Sequence, residues 1–215
     1  MKPYIFTYWE GEKPGYVQLC RETLEKHCGL DFEIVALTKD ATDQWIKYLP
    51  DLPINLKVDW LKANLVYTYG GFWIDADMIV MRNLMDLTYY FNVYDFCGIP
   101  GFFGADKGSK MLKEWIDGMR PLLKKPLTFS DLIQPLLNNP NFTEFYPWTR
   151  DMICPVYHTE AHDLYSNKKL DITEDNYIVT LYNSAFPENV KKLTQHEILN
   201  KPWMMSAAFK RSLNV

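Results

Sequence analysis

The chain has 215 residues, 47% of them hydrophobic, with 23 Lys and Arg against 27 Asp and Glu and a net charge of −4. That length supports one well-buried domain and leaves little room for a second. Slight acidity without any Lys/Arg block argues against a nucleic-acid partner, and no apolar run approaches the length of a bilayer span.

A strand is predicted over Pro3 to Tyr8, with no basic-then-apolar leader before it. A helix follows from Pro14 to Cys28, its apolar positions Val17, Cys20, Leu24 and Cys28 falling at steps of three and four. Phe32 to Leu37 reads as a second strand. A polar helix start near Asp40 and a loop punctuated by Pro50 and Pro53 come next. Leu56 to Tyr69 is predicted helical, with a core stripe of Val58, Leu61, Leu65 and Tyr69. Gly70 stops that helix, and a strand from Phe72 to Asp75 follows.

The second half is less regular. Asp95 to Ile99 reads as a strand, Ser109 to Leu123 as an amphipathic helix, and Asp131 to Leu137 as a short helix. Asn176 to Leu181 reads as a strand, with helical patches from Glu188 to about Lys210. The loop-rich stretch from Pro140 to Asp175 is where an acceptor site is expected. Strands alternating with helices predict an α/β domain with a mostly parallel sheet, in which ligands sit beyond the carboxyl ends of strands.

Cys20, Cys28, Cys97 and Cys154 form no Cys-x-x-Cys pair, so they read as buried thiols of a reducing compartment rather than a zinc site. Asn141-Phe142-Thr143 matches a glycosylation acceptor triplet, a frequent chance match. His27, His158, His162 and His196 make no metal-ligand pair, His158 being the nearest to an exception.

The most informative segment is Tyr67 to Val80, YTYGGFWIDADMIV. The apolar run Phe72-Trp73-Ile74 delivers Asp75 and Asp77, separated only by Ala76. In a strand, positions two apart share a face, which would bring both carboxylates together. Like charges that close repel unless a cation lies between them. Hard oxygen ligands of this kind suit Mn²⁺ or Mg²⁺, held by one or two carboxylates plus substrate phosphates. The competing reading is a solvated strand end, but apolar runs on both sides argue against it.

Asp59 and Lys62 share a helical face and read either as a surface ion pair or as a grip on ligand hydroxyls. Tyr8-Trp9-Glu10-Gly11 closes the first strand and places aromatics at the ligand edge, or in the core. Asn183-Ser184 after the last strand reads as a turn or as oxygens aimed at the metal.

These residues resemble the sugar-nucleotide site of Asp-x-Asp glycosyltransferases with the GT-A (Rossmann-like nucleotide-diphospho-sugar transferase) fold. The closest likeness is to the capsular-polysaccharide-synthesis and Och1-like families. Asp59 stands at the family's Asp, Lys62 at its Arg, Gly70 and Gly71 at its glycines, and Asp75 and Asp77 at its metal-binding acids. Trp9, Gly11, Pro14 and Cys20 match the family's opening strand and helix. The likeness is dense over residues 4–87. In the closing segment Asn183 and Ser184 fit, while Thr180 replaces a His and Phe186 a Trp.

The resemblance implies a single domain over residues 1–215, with a donor half at 1–87 and an acceptor and closing half at 88–215. It implies transfer of a sugar from a UDP- or GDP-linked donor, UDP favoured, to a hydroxyl of a glycan acceptor. Asp75, Asp77 and Asn183 would hold Mn²⁺ or Mg²⁺. Thr7, Tyr8, Trp9, Asp59, Lys62, Asp75, Ala76, Asp77, Asn183 and Ser184 would contact the donor, and Asp59, Lys62, Asp75 and Asp77 would carry the chemistry. Asp131 and Asp106 are base candidates only for an inverting enzyme. The expected location is the cytoplasm of a bacterium or a virus-infected host, and the sequence is compatible with a piece of a longer multidomain chain. Two alternatives use the same acids. One is a HAD-like phosphatase with a nucleophilic first Asp, for which Ile79 stands at the motif's Thr/Val place and no acidic pair follows. The other is a domain that binds sugar nucleotides without turning them over.

Overall fold

The computed structural model describes residues 2–169, 173 and 175–215. In chain order the elements are β1 (Tyr4–Tyr8), α1 (Gly15–Cys28), β2 (Glu33–Leu37), α2 (Ile54–Tyr69), β3 (Gly71–Ile74), β4 (Met78–Val80), β5 (Cys97–Ile99), β6 (Phe102–Ala105), α3 (Lys110–Met119), α4 (Gln134–Leu137), α5 (Arg150–Ile153), β7 (Ile178–Thr180), α6 (Glu188–Lys191), α7 (Gln195–Leu199) and α8 (Met204–Leu213), with 3₁₀ turns between them. They pack as two compact units interleaved in sequence. One holds residues 2–10, Phe32–Ile74 and Leu87–Pro147; the other holds Gly11–Asp31, Asp75–Asp86 and Trp148–Val215.

The first unit is built on a five-stranded sheet in the order β2-β1-β3-β6-β5. β1 pairs parallel with β2 and β3, while β6 runs antiparallel to both β3 and β5. Four of the five strands therefore point the same way. β3 is central and wholly buried, as its unbroken Phe72-Trp73-Ile74 run requires. Its side chains alternate. Trp73 joins Phe6, Leu61, Leu65, Phe103 and Trp115 in the core under α2 and α3. Phe72 turns to the other face and packs on Phe32, Phe91 and Phe102 at ring-centroid distances of 5.8, 4.9 and 5.8 Å. Each such ring contributes about 1.5–3 kcal/mol by leaving water. α2 starts behind Pro53 and ends at Gly70, which turns the chain with a φ of 74°. Gly71 is needed for a different reason. A Cβ there would lie 2.2 Å from the Tyr4 carbonyl oxygen, so only glycine lets β3 seat against β1.

In the second unit β4 and β7 form an antiparallel pair, Met78 opposite Thr180 and Val80 opposite Ile178. Val80's remaining backbone groups are satisfied by helices. Its N–H donates to Thr23 Oγ1 of α1 at 3.0 Å, and its carbonyl accepts from Ser212 Oγ of α8 at 2.7 Å. The α1 stripe of Val17, Cys20, Leu24 and Cys28 is buried as its spacing predicts.

Several expectations change. The two aspartates are not in a strand: β3 stops at Ile74, and Asp75-Ala76-Asp77 form the turn into β4. Strand alternation is therefore not what orients the two acids. β4 and β6 are additional strands. β6 was obscured because Pro100-Gly101 interrupts the apolar run; that dipeptide is the hairpin turn joining Ile99 to Phe102. The helix expected over Ser109 to Leu123 stops at Met119, ahead of Pro121. α2 is buried around most of its circumference, not along one stripe, with Leu56, Trp60, Ala63 and Val66 as enclosed as Leu61 and Leu65. All four cysteines are free and buried. Part of the Pro140 to Asp175 stretch, residues 170–172 and 174, lies outside the described residues. No helix among the described residues is long and apolar enough to cross a membrane.

Candidate functional site

The predicted donor-site residues fall into two groups, one in each unit. In the second unit the turn after β3 presents Asp75, Ala76 and Asp77, all half-buried. Asp77 is anchored twice. Its carbonyl accepts the Leu181 N–H at 2.9 Å, prolonging the β4–β7 ladder by one bond. Its carboxylate Oδ2 accepts the Asn183 N–H at 2.7 Å. Burial pushes the Asp77 carboxyl above the ordinary carboxylate range, against the pull of the Asn183 N–H.

The loop after β7 reaches Asp77 because Tyr182 takes the left-handed conformation, φ 57° and ψ 65°. A bulky residue held there stores on the order of 1–3 kcal/mol, so surrounding contacts must hold it. The Tyr182 hydroxyl donates to the Val156 carbonyl at 2.8 Å and lies 2.8 Å from Cys154 Sγ. His158 stands edge-on to the Tyr182 ring at 5.2 Å. The next residue, Asn183, uses its backbone on Asp77, while its side-chain oxygen Oδ1 accepts the Tyr16 hydroxyl. Ser184 is exposed. Thr180 is buried on β7, and its hydroxyl has no hydrogen-bond partner among the described residues.

No group of three or more His, Cys, Asp or Glu among the described residues could close around a metal by itself. Two acids and an amide oxygen are nevertheless the hard, incomplete set that suits Mn²⁺ or Mg²⁺ when substrate phosphates supply the remainder. A carboxyl driven toward its neutral form by burial is also one that a cation would relieve. In donor chemistry these residues suit such an ion.

The first unit holds the other group. On α2, Lys62 Nζ lies 2.6 Å from Asp59 Oδ1, with both side chains about nine-tenths enclosed or more. The expectation of a possible surface pair is thus corrected: this ion pair is buried, and Lys62 also lies 5.8 Å over the Trp115 ring. At the end of β1, Tyr8 is buried, Trp9 is half-buried with its N–H on the Leu37 carbonyl at 3.1 Å, and the buried Thr7 hydroxyl has no hydrogen-bond partner among the described residues.

Two residues missed by sequence reasoning join this group. Glu10 Oε2 accepts from Tyr8 at 2.7 Å and from the buried Lys57 at 2.8 Å. Lys57 chiefly, then Tyr8, holds the Glu10 carboxyl below its ordinary value. Burial and then Glu10 raise the Tyr8 phenol. A lysine two residues before Asp59 in an enclosed helix was the available signal. Tyr16 and Tyr182 left no such local signal, since their partners lie far along the chain. Of the base candidates, Asp131 is taken up by the Thr128 N–H at 2.6 Å and hydroxyl at 2.8 Å, which lower its carboxyl. Asp106 is exposed, and its carbonyl caps the turn to Ser109.

No family model matches the sequence, and no curated protein matches it. Solved structures do. The glycosyltransferase GlyE of Streptococcus pneumoniae TIGR4 in its apo form is similar over 97% of this chain, with a TM-score of 0.53 at 12% identity. A second crystal structure of that glycosyltransferase gives a TM-score of 0.52 over the same share of the chain, again at 12% identity. The chain spans 64% of the length of the GlyE chain. At that identity the likeness is one of fold. With the mixed, mostly parallel sheet flanked by helices, it gives the chain the GT-A type of glycosyltransferase architecture.

Proposed function

We propose that the chain is a metal-dependent glycosyltransferase of the capsular-polysaccharide-synthesis and Och1-like kind. It moves a sugar from a nucleotide-diphosphate donor, UDP- or GDP-linked with UDP favoured, to a hydroxyl of a glycan acceptor in polysaccharide or glycoprotein glycan synthesis. The observation that carries this reading is Asp77, a half-buried acid in a turn after the central strand, fixed at backbone and carboxylate by Leu181 and Asn183. The glycosyltransferase fold of the chain supports it.

In this reading Asp75, Asp77 and Asn183 hold Mn²⁺ or Mg²⁺. The ion, when bound, offsets the negative charge that stays on the diphosphate as the anomeric C–O bond breaks. Asp77 presents a carboxylate whose position is set before substrate arrives, so little reorganisation is needed at the moment of reaction. Asp75 shares the ion and reaches the ribose, and Ala76 and Ser184 line the donor. From the sequence resemblance, Tyr8 and Trp9 are assigned to the base pocket, Thr7 to the donor, and Asp59 and Lys62 to donor hydroxyls or phosphate. Residues 1–87 carry most of the donor contacts, and residues 88–215 serve acceptor and closure.

Asp77→Asn keeps the size of the side chain and its acceptor for the Asn183 N–H. It is expected to lower Mn²⁺-dependent turnover of UDP- and GDP-sugars by at least about 100-fold. Far-UV circular dichroism should be unchanged. Undiminished turnover in a folded Asp77→Asn protein would overturn the assignment.

A further inference from the structure

Tyr16 is fully buried at the start of α1, a position where nothing in the helix pattern calls for a hydroxyl. Its ring packs edge-on against Phe186, centroid to centroid 5.1 Å and 69° between planes. That contact locks the ring and points the hydroxyl at Asn183, where it donates to Oδ1. The helix end itself is seated without play. A Cβ on Gly15 would lie 2.5 Å from the Leu193 carbonyl oxygen, so α1 meets the backbone before α7 at a distance only glycine permits. Asn183 is thus held at two points, by its backbone N–H on Asp77 Oδ2 at 2.7 Å and by its side-chain oxygen on Tyr16.

The chemistry of the amide gives this second point a consequence. An Asn side chain offers an oxygen with two lone pairs on one side and an NH₂ with two donors on the other. Toward a cation the first is attractive and the second repulsive. If the amide turned over, the Tyr16 hydroxyl would face NH₂ and lose the acceptor it now has in Asn183 Oδ1. A buried donor left unmatched is unfavourable. The phenol therefore selects the orientation that keeps Asn183 oxygen as the acceptor on its side. It uses one of the two lone pairs and leaves the other for an ion.

We propose that Tyr16 is a positioning residue that fixes the amide oxygen of Asn183 as a cation ligand. This rests on the metal-dependent reading above. Partners that orient metal ligands from behind typically change metal affinity 10- to 100-fold when removed.

The test is an electron paramagnetic resonance titration with Mn²⁺, alone and with UDP, on the full chain. Tyr16→Phe keeps the ring against Phe186 and removes only the oxygen. It is expected to bind Mn²⁺ about 10- to 100-fold more weakly, with its melting temperature lowered by no more than about 4 °C. Asn183→Ala should weaken Mn²⁺ binding to a similar degree, and adding Tyr16→Phe to it should weaken binding no further, because the phenol acts through that amide. Wild-type Mn²⁺ affinity in folded Tyr16→Phe overturns the proposal, as does an equal loss from Tyr16→Phe in the Asn183→Ala background. Should Tyr16→Phe not fold, Asn183→Ala decides alone, and wild-type affinity there refutes the idea. Asp77→Asn separates the two levels: if it too binds Mn²⁺ like wild type, the metal-dependent reading itself has failed.

Discussion

The Thr180 hydroxyl illustrates how a single residue can be tested by subtraction. It sits buried on β7 beside the loop that reaches Asp77, and has no hydrogen-bond partner among the described residues. A buried hydroxyl in that state stabilises nothing, and replacing it with a methyl of similar volume removes only its desolvation cost. Thr180→Val is expected to leave the unfolding free energy unchanged or raise it by up to about 1 kcal/mol, measured by urea unfolding. Mn²⁺ affinity should be unchanged, since the proposed ligands are Asp75, Asp77 and Asn183. A loss of stability, or of Mn²⁺ binding, would show that Thr180 serves the site where the resembling families carry a histidine. At this scale the sequence was legible where chemistry is local. Two acids one residue apart after an apolar run announced themselves, and Asn183 was reachable through a motif. Tyr16 was not, because its partner is 167 residues away and an aromatic at a helix start looks like any core residue. The orientation of the acids was misjudged for a related reason: alternation holds only while the strand continues, and β3 ends one residue earlier than its pattern suggests.

At the scale of elements, α1 and α8 are joined at their C-terminal ends through one group. Ser212 of α8 receives Lys26 Nζ on its carbonyl at 2.8 Å, and His27 Nε2 lies 3.2 Å from that carbonyl and 3.1 Å from Ser212 Oγ. A carbonyl can only accept, so Nε2 carries the proton of a neutral ring. Burial pulls the His27 pKa below 6.5, outweighing the carbonyl, which pushes it up; Lys26 adds to the lowering. The folded state therefore binds this proton less readily than the unfolded chain does. The stability His27 contributes is complete above pH 6.5 and is lost as pH falls from there through the folded value. His27→Gln retains a donor for Ser212 and cannot titrate. Between pH 7.5 and 5 its unfolding free energy should fall less than that of wild type, read from urea melts at several pH values. Parallel curves for the two proteins would show that His27 is indifferent to folding. The α1 stripe that places His27 was readable from its three-and-four spacing. α2 was only half readable, since a helix enclosed on most sides carries Lys57, Asp59 and Lys62 inside and imitates an amphipathic one. β6 was missed because the Pro100-Gly101 turn cuts it off from the apolar run before it.

For the molecule as a whole, charge decides how a nucleotide could be held. The chain carries a net charge of −4, and a nucleoside diphosphate brings further negative charge. The two lysines buried on α2 are each already matched, Lys57 to Glu10 at 2.8 Å and Lys62 to Asp59 at 2.6 Å. Lys62 reaches donor hydroxyls or a phosphate only at the expense of its enclosed pair with Asp59, and removing one partner of a buried pair costs about 3–5 kcal/mol. Asp75 and Asp77 would repel the diphosphate outright. A divalent cation reverses that repulsion, so binding of the nucleotide and of the ion should be strongly coupled. Melting temperatures measured with UDP-, GDP- and dTDP-sugars, each with and without Mn²⁺, read the coupling directly. A ligand at 100 times its Kd stabilises the native state by about 2.7 kcal/mol, which for a chain of this size is a shift of roughly 5–10 °C. That shift is expected for a UDP-sugar with Mn²⁺ and should shrink to near zero when either component is left out. Equal shifts with and without Mn²⁺ would mean that the protein's own cations hold the phosphates, and the role given to the two aspartates would then have to be abandoned even though the glycosyltransferase fold remained.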